Sequence, residues 1–155
     1  MSSKITSLDI SGVLSALNDL RDDSDSVSRT MAFESAAVVR DSAKAHVRSK
    51  TGRLKGAIYA VYVPEESTEV RHVYAVSWNK KKAPHGHLVE YGHWRTNVVA
   101  EVDGKWLFTK EKLATPVHVP ARSFLRPGYD SVKGRLVEVA NKAGAKRLAE
   151  LRSKR

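Results

Sequence analysis

The sequence predicts an α+β fold, an antiparallel sheet of hairpins packed against a long helix in the N-terminal half and a C-terminal helix. Three observations carry this. Apolar residues recur at steps of three and four in stretches near both ends of the chain. Between them lie paired runs dense in β-branched and aromatic residues. Short polar segments join the members of each pair, as antiparallel hairpins allow, so helices and strands are grouped rather than alternating.

In chain order, D-I-S-G-V-L-S-A-L-N-D-L places Ile10, Val13, Leu14, Leu17 and Leu20 at helical spacing, which predicts a short amphipathic helix weakened by Gly12. The polar stretch R-D-D-S-D-S, residues 21–26, should break it and cap the next helix. The expected organisation is therefore a short helix and polar linker over 1–25 and a single α+β domain over 26–155. From about Ser26 to Arg48, Ala32, Ala36, Val39, Ala43 and Val47 line one face, and their small size permits close packing. Gly52 in K-T-G-R-L-K-G should end that helix, with Gly56 a second break.

A-I-Y-A-V-Y-V and V-R-H-V-Y-A-V-S-W then read as a hairpin joined by P-E-E-S-T-E, with Pro64 at a strand end where its missing N–H costs least. A second hairpin is expected in V-V-A-E-V-D-G-K-W-L-F-T, because Asp103-Gly104 is a favoured pair for a two-residue turn. T-P-V-H-V-P reads as a further short edge strand. From about Tyr129 to Leu151, Val132, Leu136, Val139 or Ala140, Ala143, Leu148 and Leu151 form the stripe of a last helix.

Charge and composition narrow the function. The chain has 155 residues, no cysteine and a net charge of +10, so thiolate zinc sites, disulfides and cysteine nucleophiles are excluded. The surplus is regional: up to Asp41 there are four Lys/Arg against seven Asp/Glu, and the remainder is strongly basic. Such a field attracts nucleic acid, an anionic membrane or an acidic protein partner, or it is simply a solvated surface. No apolar run is long enough to span a bilayer and the first residues lack a signal-peptide core, so a soluble protein acting where it is made is expected.

The stretch A-P-H-G-H-L-V-E-Y-G-H holds His85, His87 and His93 with Glu90. Their spacing differs from the i, i+4 step that puts two imidazoles on one helix face, and a turn and a half of helix over 86–92 would aim Glu90 away from the histidines. Loop or surface histidines are the simpler reading. No G-x-S-x-G, H-E-x-x-H or P-loop is present, and T-G-R-L-K-G only looks like a glycine-rich loop. No catalytic, cofactor or metal site is expected, and the protein reads as a non-enzyme.

Three motifs in order, T-G-R-L-K-G-A-I (51–58), A-P-H-G-H-L-V-E-Y-G-H (83–93) and V-P-A-R-S-F-L-R-P-G (119–128), flanked by helices, resemble the tail-completion or head-tail joining proteins of tailed bacteriophages. In that family a "TG-L-S-I" element leads into the sheet, a "Y-H-VE-GT" element follows, and "PARPFLRPA" opens the last helix. The matching positions are Thr51, Gly52, Leu54, Tyr91, Gly92, Pro120, Phe124, Leu125 and Pro127. Ala57, His93 and Ser123 depart from the pattern.

The resemblance implies a ring-forming structural subunit of the virion, most often of six copies, joining the connector or head-completion proteins to the tail tube or tail terminator, assembled in the host cytoplasm. Genomic DNA would pass through its channel without sequence reading and without a membrane partner. Leu88, Val89 and Tyr91 would pack the short segment on the sheet, and Glu90 would form an ion pair with Arg122 or Arg126. Lys80, Lys81 and Lys82, together with Lys142, Lys146 and Arg147 of the last helix, are candidates to face DNA or the acidic Asp19–Asp25 region of a neighbouring subunit. The alternative is a non-sequence-specific nucleic-acid-binding protein, against which no helix-turn-helix, zinc finger or RNP-type strand is present. Trp78, Trp94 and Trp106 read as core or interface residues.

Overall fold

A computed structural model describes residues 11–48 and 51–154. The fold is α+β, with a long N-terminal helix α1 (Ser11–His46), a short helix α2 (Arg53–Ala57), strands β1 (Ile58–Tyr62) and β2 (Tyr74–Trp78), helix α3 (Gly86–Tyr91), strands β3 (His93–Val102) and β4 (Lys105–Val119), helix α4 (Leu125–Asp130) and helix α5 (Leu136–Arg152). The strands form two separate two-stranded sheets, β1 with β2 and β3 with β4. Among the described residues no helix is long and apolar enough to cross a membrane.

The predicted break at residues 21–26 does not occur: α1 runs through it as one helix of 36 residues. Asp and Ser cost only tenths of a kcal/mol each in a helix interior, and here their neighbourhood satisfies them with the helix intact. Ser28 Oγ donates to the Asp25 carbonyl (3.0 Å), Thr30 Oγ1 donates to the Ser26 carbonyl (2.8 Å), and Arg147 Nε donates to Ser26 Oγ (2.9 Å). Ile10, the first apolar position of the predicted short helix, lies outside the described residues.

The chain forms two compact units, one of residues 11–38, 61–75 and 135–154, the other of 39–48, 51–60 and 76–134 within the described residues. In the first, α1 and α5 approach closely where Gly144 meets the end of the Met31 side chain and Val27. An aromatic group gathers beside them. Tyr62 lies 5.4 Å from Tyr74 and 6.1 Å from His72 between ring centroids, Phe33 packs edge-on against Tyr74, and the Arg29 guanidinium sits 4.5 Å over the Tyr62 ring. His72, its side chain buried, places Nε2 at 3.1 Å from Asp25 Oδ1.

The second unit holds the main apolar core, built from Ala43, Leu54, Ala57, Ile58, Trp78, Ala83 and Phe124, with Val47, Val76, Val89 and Leu125 packed against it. Trp78 and Phe124 meet edge to face at 5.9 Å. The small face predicted for the long helix has its clearest use here, since Gly128 of α4 lies so near Ala43 that an added Cβ would stand 2.7 Å from the Ala43 Cα.

The second hairpin turns at Asp103-Gly104 as predicted, both residues having positive φ (51° and 72°), the pairing a type I′ turn demands. T-P-V-H-V is the end of β4 and not a strand of its own; it pairs with β3 through Val119–His93, His118–Trp94 and Val117–Arg95. Irregularities between Arg95 and Asn97, and again between Asn97 and Val99, absorb the surplus residues of the longer strand. The predicted last helix is divided: α4 ends at Asp130, a 3-10 turn covers Lys133–Arg135, and α5 follows. Gly134 at that joint lowers the helix preference where the stripe seemed continuous.

Candidate functional site

The structure brings the second and third sequence motifs together. α3 is a helix of six residues whose chain leaves through Gly92, at φ 75°. A side chain at Gly92 would place its Cβ 2.8 Å from the Val119 carbonyl oxygen and the Ala121 nitrogen, so glycine is needed both for the turn and for the close approach. Four hydrogen bonds cross this junction. The Arg122 N–H donates to the Val89 carbonyl (2.8 Å), Ser123 Oγ donates to the Glu90 carbonyl (2.7 Å), and the N–H groups of Phe124 and Leu125 donate to Glu90 Oε2 (2.8 and 3.1 Å).

Glu90 is 6% exposed and its carboxylate holds the first amides of α4, an N-terminal cap supplied from a distant segment. This corrects the expected ion pair. Arg122 and Arg126 are exposed, and among the described residues no ion pair joins either to Glu90. A buried carboxylate facing two unpartnered backbone donors gains more from them than from a guanidinium that would have to leave water. Ser123, where the family pattern has proline, uses its hydroxyl in the same junction.

Of the other motif positions, Leu54 and Phe124 are buried in the core and Leu125 packs on it. Gly52, expected to end the long helix, instead stands at the start of α2: α1 already stops at His46, Gly52 takes φ 71° and its carbonyl accepts from the Gly56 N–H (2.8 Å), so Gly56 lies within a helical turn and is not a break. Thr51 and Pro120 are exposed and Pro127 is half-buried. Tyr91 differs from expectation: it is 75% exposed, while Val89 on the other side of α3 meets the core. His85 and His87 are exposed, and among the described residues no three His, Asp or Glu side chains converge on a point that could hold a metal ion.

The basic candidates fall into two sets. Lys80, Lys81 and Lys82 are exposed on a loop pinned by Asn79, whose Oδ1 accepts from the N–H groups of Lys81 (2.9 Å) and Lys82 (3.1 Å). On α5, Lys142 is paired with Glu138 at 2.6 Å, and Arg147 with Glu150 at 3.2 Å and with Ser26. Lys146 lines an open cleft of about 450 Å³ between α1 and α5 with Thr30, Glu34 and Val139. Lys80–Lys82 thus form the freer basic surface.

Sequence reasoning named the apolar stripe of α1, and Trp94 and Trp106 as core or interface residues, but did not single out the apolar end of the second hairpin. Val13, Leu14, Leu17 and Leu20 are all exposed on α1, and Val102, Trp106, Leu107 and Phe108 are exposed at the end of the β3–β4 hairpin. Trp94 is exposed as well, its ring 4.9 Å from that of His118. Trp78, by contrast, is the core tryptophan. The signal lay in V-D-G-K-W-L-F, which sets large apolar residues on consecutive positions of a strand so that both faces carry them.

Comparison with curated proteins and with solved structures returns no match. A protein-family model, HK97-gp10_like, described as "Bacteriophage HK97-gp10, putative tail-component", matches residues 12–92, which takes in α1, the T-G-R-L-K-G turn and the L-V-E-Y-G segment that carries Glu90. On that match, covering more than half of its length, the chain belongs to the HK97-gp10-like family of bacteriophage tail components.

Proposed function

We propose that this tail component is a ring-forming neck or tail-completion subunit that joins the connector of the DNA-filled head to the tail tube or tail terminator and leaves a channel for the genome. The observation that carries the reading is the amount of large apolar side chain left in solvent on α1 and on the β3–β4 hairpin, a surface a monomer seldom exposes and an assembly covers. The family adds the virion as the setting. Six copies around an axis is the stoichiometry of the proposal, with Lys80–Lys82 toward the lumen, where phosphate contacts need no sequence reading. Assembly takes place in the host cytoplasm and the finished ring sits at the head-tail interface.

The test is particle mass in solution across salt concentrations, with and without linear DNA. A ring-sized species supports the proposal. A monomer that binds DNA tightly, with affinity falling steeply in salt, replaces it with the non-sequence-specific nucleic-acid-binding reading that the exposed Lys80–Lys82 loop would also serve.

A further inference from the structure

We infer that the β3–β4 hairpin of one copy docks on the N-terminal turns of α1 of the next, so that successive copies join head to tail. The inference deepens the ring proposal and rests on it.

The two surfaces are complementary in kind. Val13, Leu14, Leu17 and Leu20 share one side of α1 at helical spacing, and Leu17 is 55% exposed. Toward its C-terminal end this stripe runs into a cleft of about 360 Å³, lined by Leu20, Asp23, Ser24, Val27, Leu148 and Arg152. The hairpin offers what would fill such a surface. Trp106 is 62% and Phe108 71% exposed, and they project from the same face of β4 because they are two residues apart. Leu107 and Val102 are exposed on the opposite face, so either side of the ribbon can meet apolar surface. A two-stranded ribbon is marginally stable by itself in water, which favours a fold in which a partner covers it.

Charge supports the same pairing. The turns of α1 that bear the stripe carry exposed Asp19 and Asp22, while Lys110 and Lys112 are exposed on β4 beyond Phe108. Like surfaces meeting like would bring lysine to lysine or aspartate to aspartate; hairpin on helix brings opposite signs together. Because the two surfaces differ and every copy carries both, the contact is heterologous, and a heterologous contact closes into a ring when its rotation allows.

The test uses two full-length variants that keep local propensity. One carries Leu14→Gln and Leu17→Gln, the other Trp106→Thr and Phe108→Thr. Measured by light scattering after size exclusion, the wild type should assemble and each variant alone should remain monomeric. Their equimolar mixture should form a dimer and nothing larger, since one intact hairpin can meet one intact helix and no second pair remains. Charge reversal gives an independent check without touching the apolar residues. Asp19→Lys with Asp22→Lys should raise the concentration needed for assembly at least tenfold, and adding Lys110→Glu with Lys112→Glu should restore it.

A wild type that assembles while both apolar variants assemble equally well overturns this contact and leaves the ring proposal standing. Variants that are monomeric both alone and mixed also overturn it, and a single variant that still associates by itself overturns it in favour of a contact between like surfaces. A wild type monomeric at all concentrations overturns both, and assigns these faces to a different virion protein.

Discussion

Glu90 Oε2 lies 2.8 Å from the backbone nitrogen of Phe124, 34 residues further along the chain, and both groups are buried. That one carboxylate oxygen also receives the Leu125 N–H at 3.1 Å, so a single side chain fixes where α4 begins.

Glu90→Ala would leave two amide donors without their acceptor. The expected loss is about 2–3 kcal/mol, combining an unsatisfied buried donor with a lost helix cap. Glu90→Gln keeps an acceptor oxygen and should lose about 1 kcal/mol. Urea denaturation midpoints measure both, and an alanine variant within about 0.5 kcal/mol of wild type would show the cap to be unimportant.

Two glycines in close contacts should respond differently to alanine. At Gly128 the new Cβ would meet Ala43 backbone at 2.7–2.8 Å, which no side-chain rotation relieves, so Gly128→Ala should cost about 1–3 kcal/mol. At Gly144 the contact is Met31 Sδ at 2.8 Å, the flexible end of a side chain. There the helix preference of alanine, worth up to about 1 kcal/mol, offsets the crowding, and Gly144→Ala should leave the thermal midpoint within a few degrees of wild type. Equal effects at the two sites would contradict the distinction between backbone and side-chain neighbours.

Hydrogen bonds from Arg40, at 2.8 and 3.0 Å, hold the Asp41 carboxyl below its usual range. A folded-state value below the unfolded one means that the pair stabilises above the ordinary carboxylate range and that this contribution disappears as pH falls through the lowered value. Asp41 is largely exposed, so the contribution is only a few tenths of a kcal/mol. Asp41→Asn should therefore be slightly less stable than wild type at pH 7, and the difference should vanish once the wild-type Asp41 carboxyl is protonated in both the folded and the unfolded state. A difference that grows on acidification would reverse the assigned sign.

The elements were most readable where one local rule dominated. Asp103-Gly104 announces its turn because the backbone there needs two positive φ angles, and Ala36, Val39 and Ala43 announce a helix by spacing. The reading of R-D-D-S-D-S as a break weighed local capping preference alone; Arg147, which supplies a partner to Ser26, is 121 residues away. Glu90 shows the same limit at the site. Its proximity to the third motif followed from the resemblance, but opposite charges suggested an arginine partner, whereas burial made the backbone amides of Phe124 and Leu125 the better one. The stripe of α1 was legible as amphipathic, yet periodicity says only that a face seeks cover and not which molecule provides it.

The Glu90–Phe124 bond also makes the intervening hairpin a closed excursion, with its base tied independently of its length. Doubling a closed loop adds only about 0.6 kcal/mol of closure entropy. The reach of the ribbon can consequently change by insertion or deletion near Asp103-Gly104 while the Trp78–Phe124 core stays as it is. Length at the tip and stability at the base are separately adjustable, which gives a chain of this design room to fit neighbours of different dimensions.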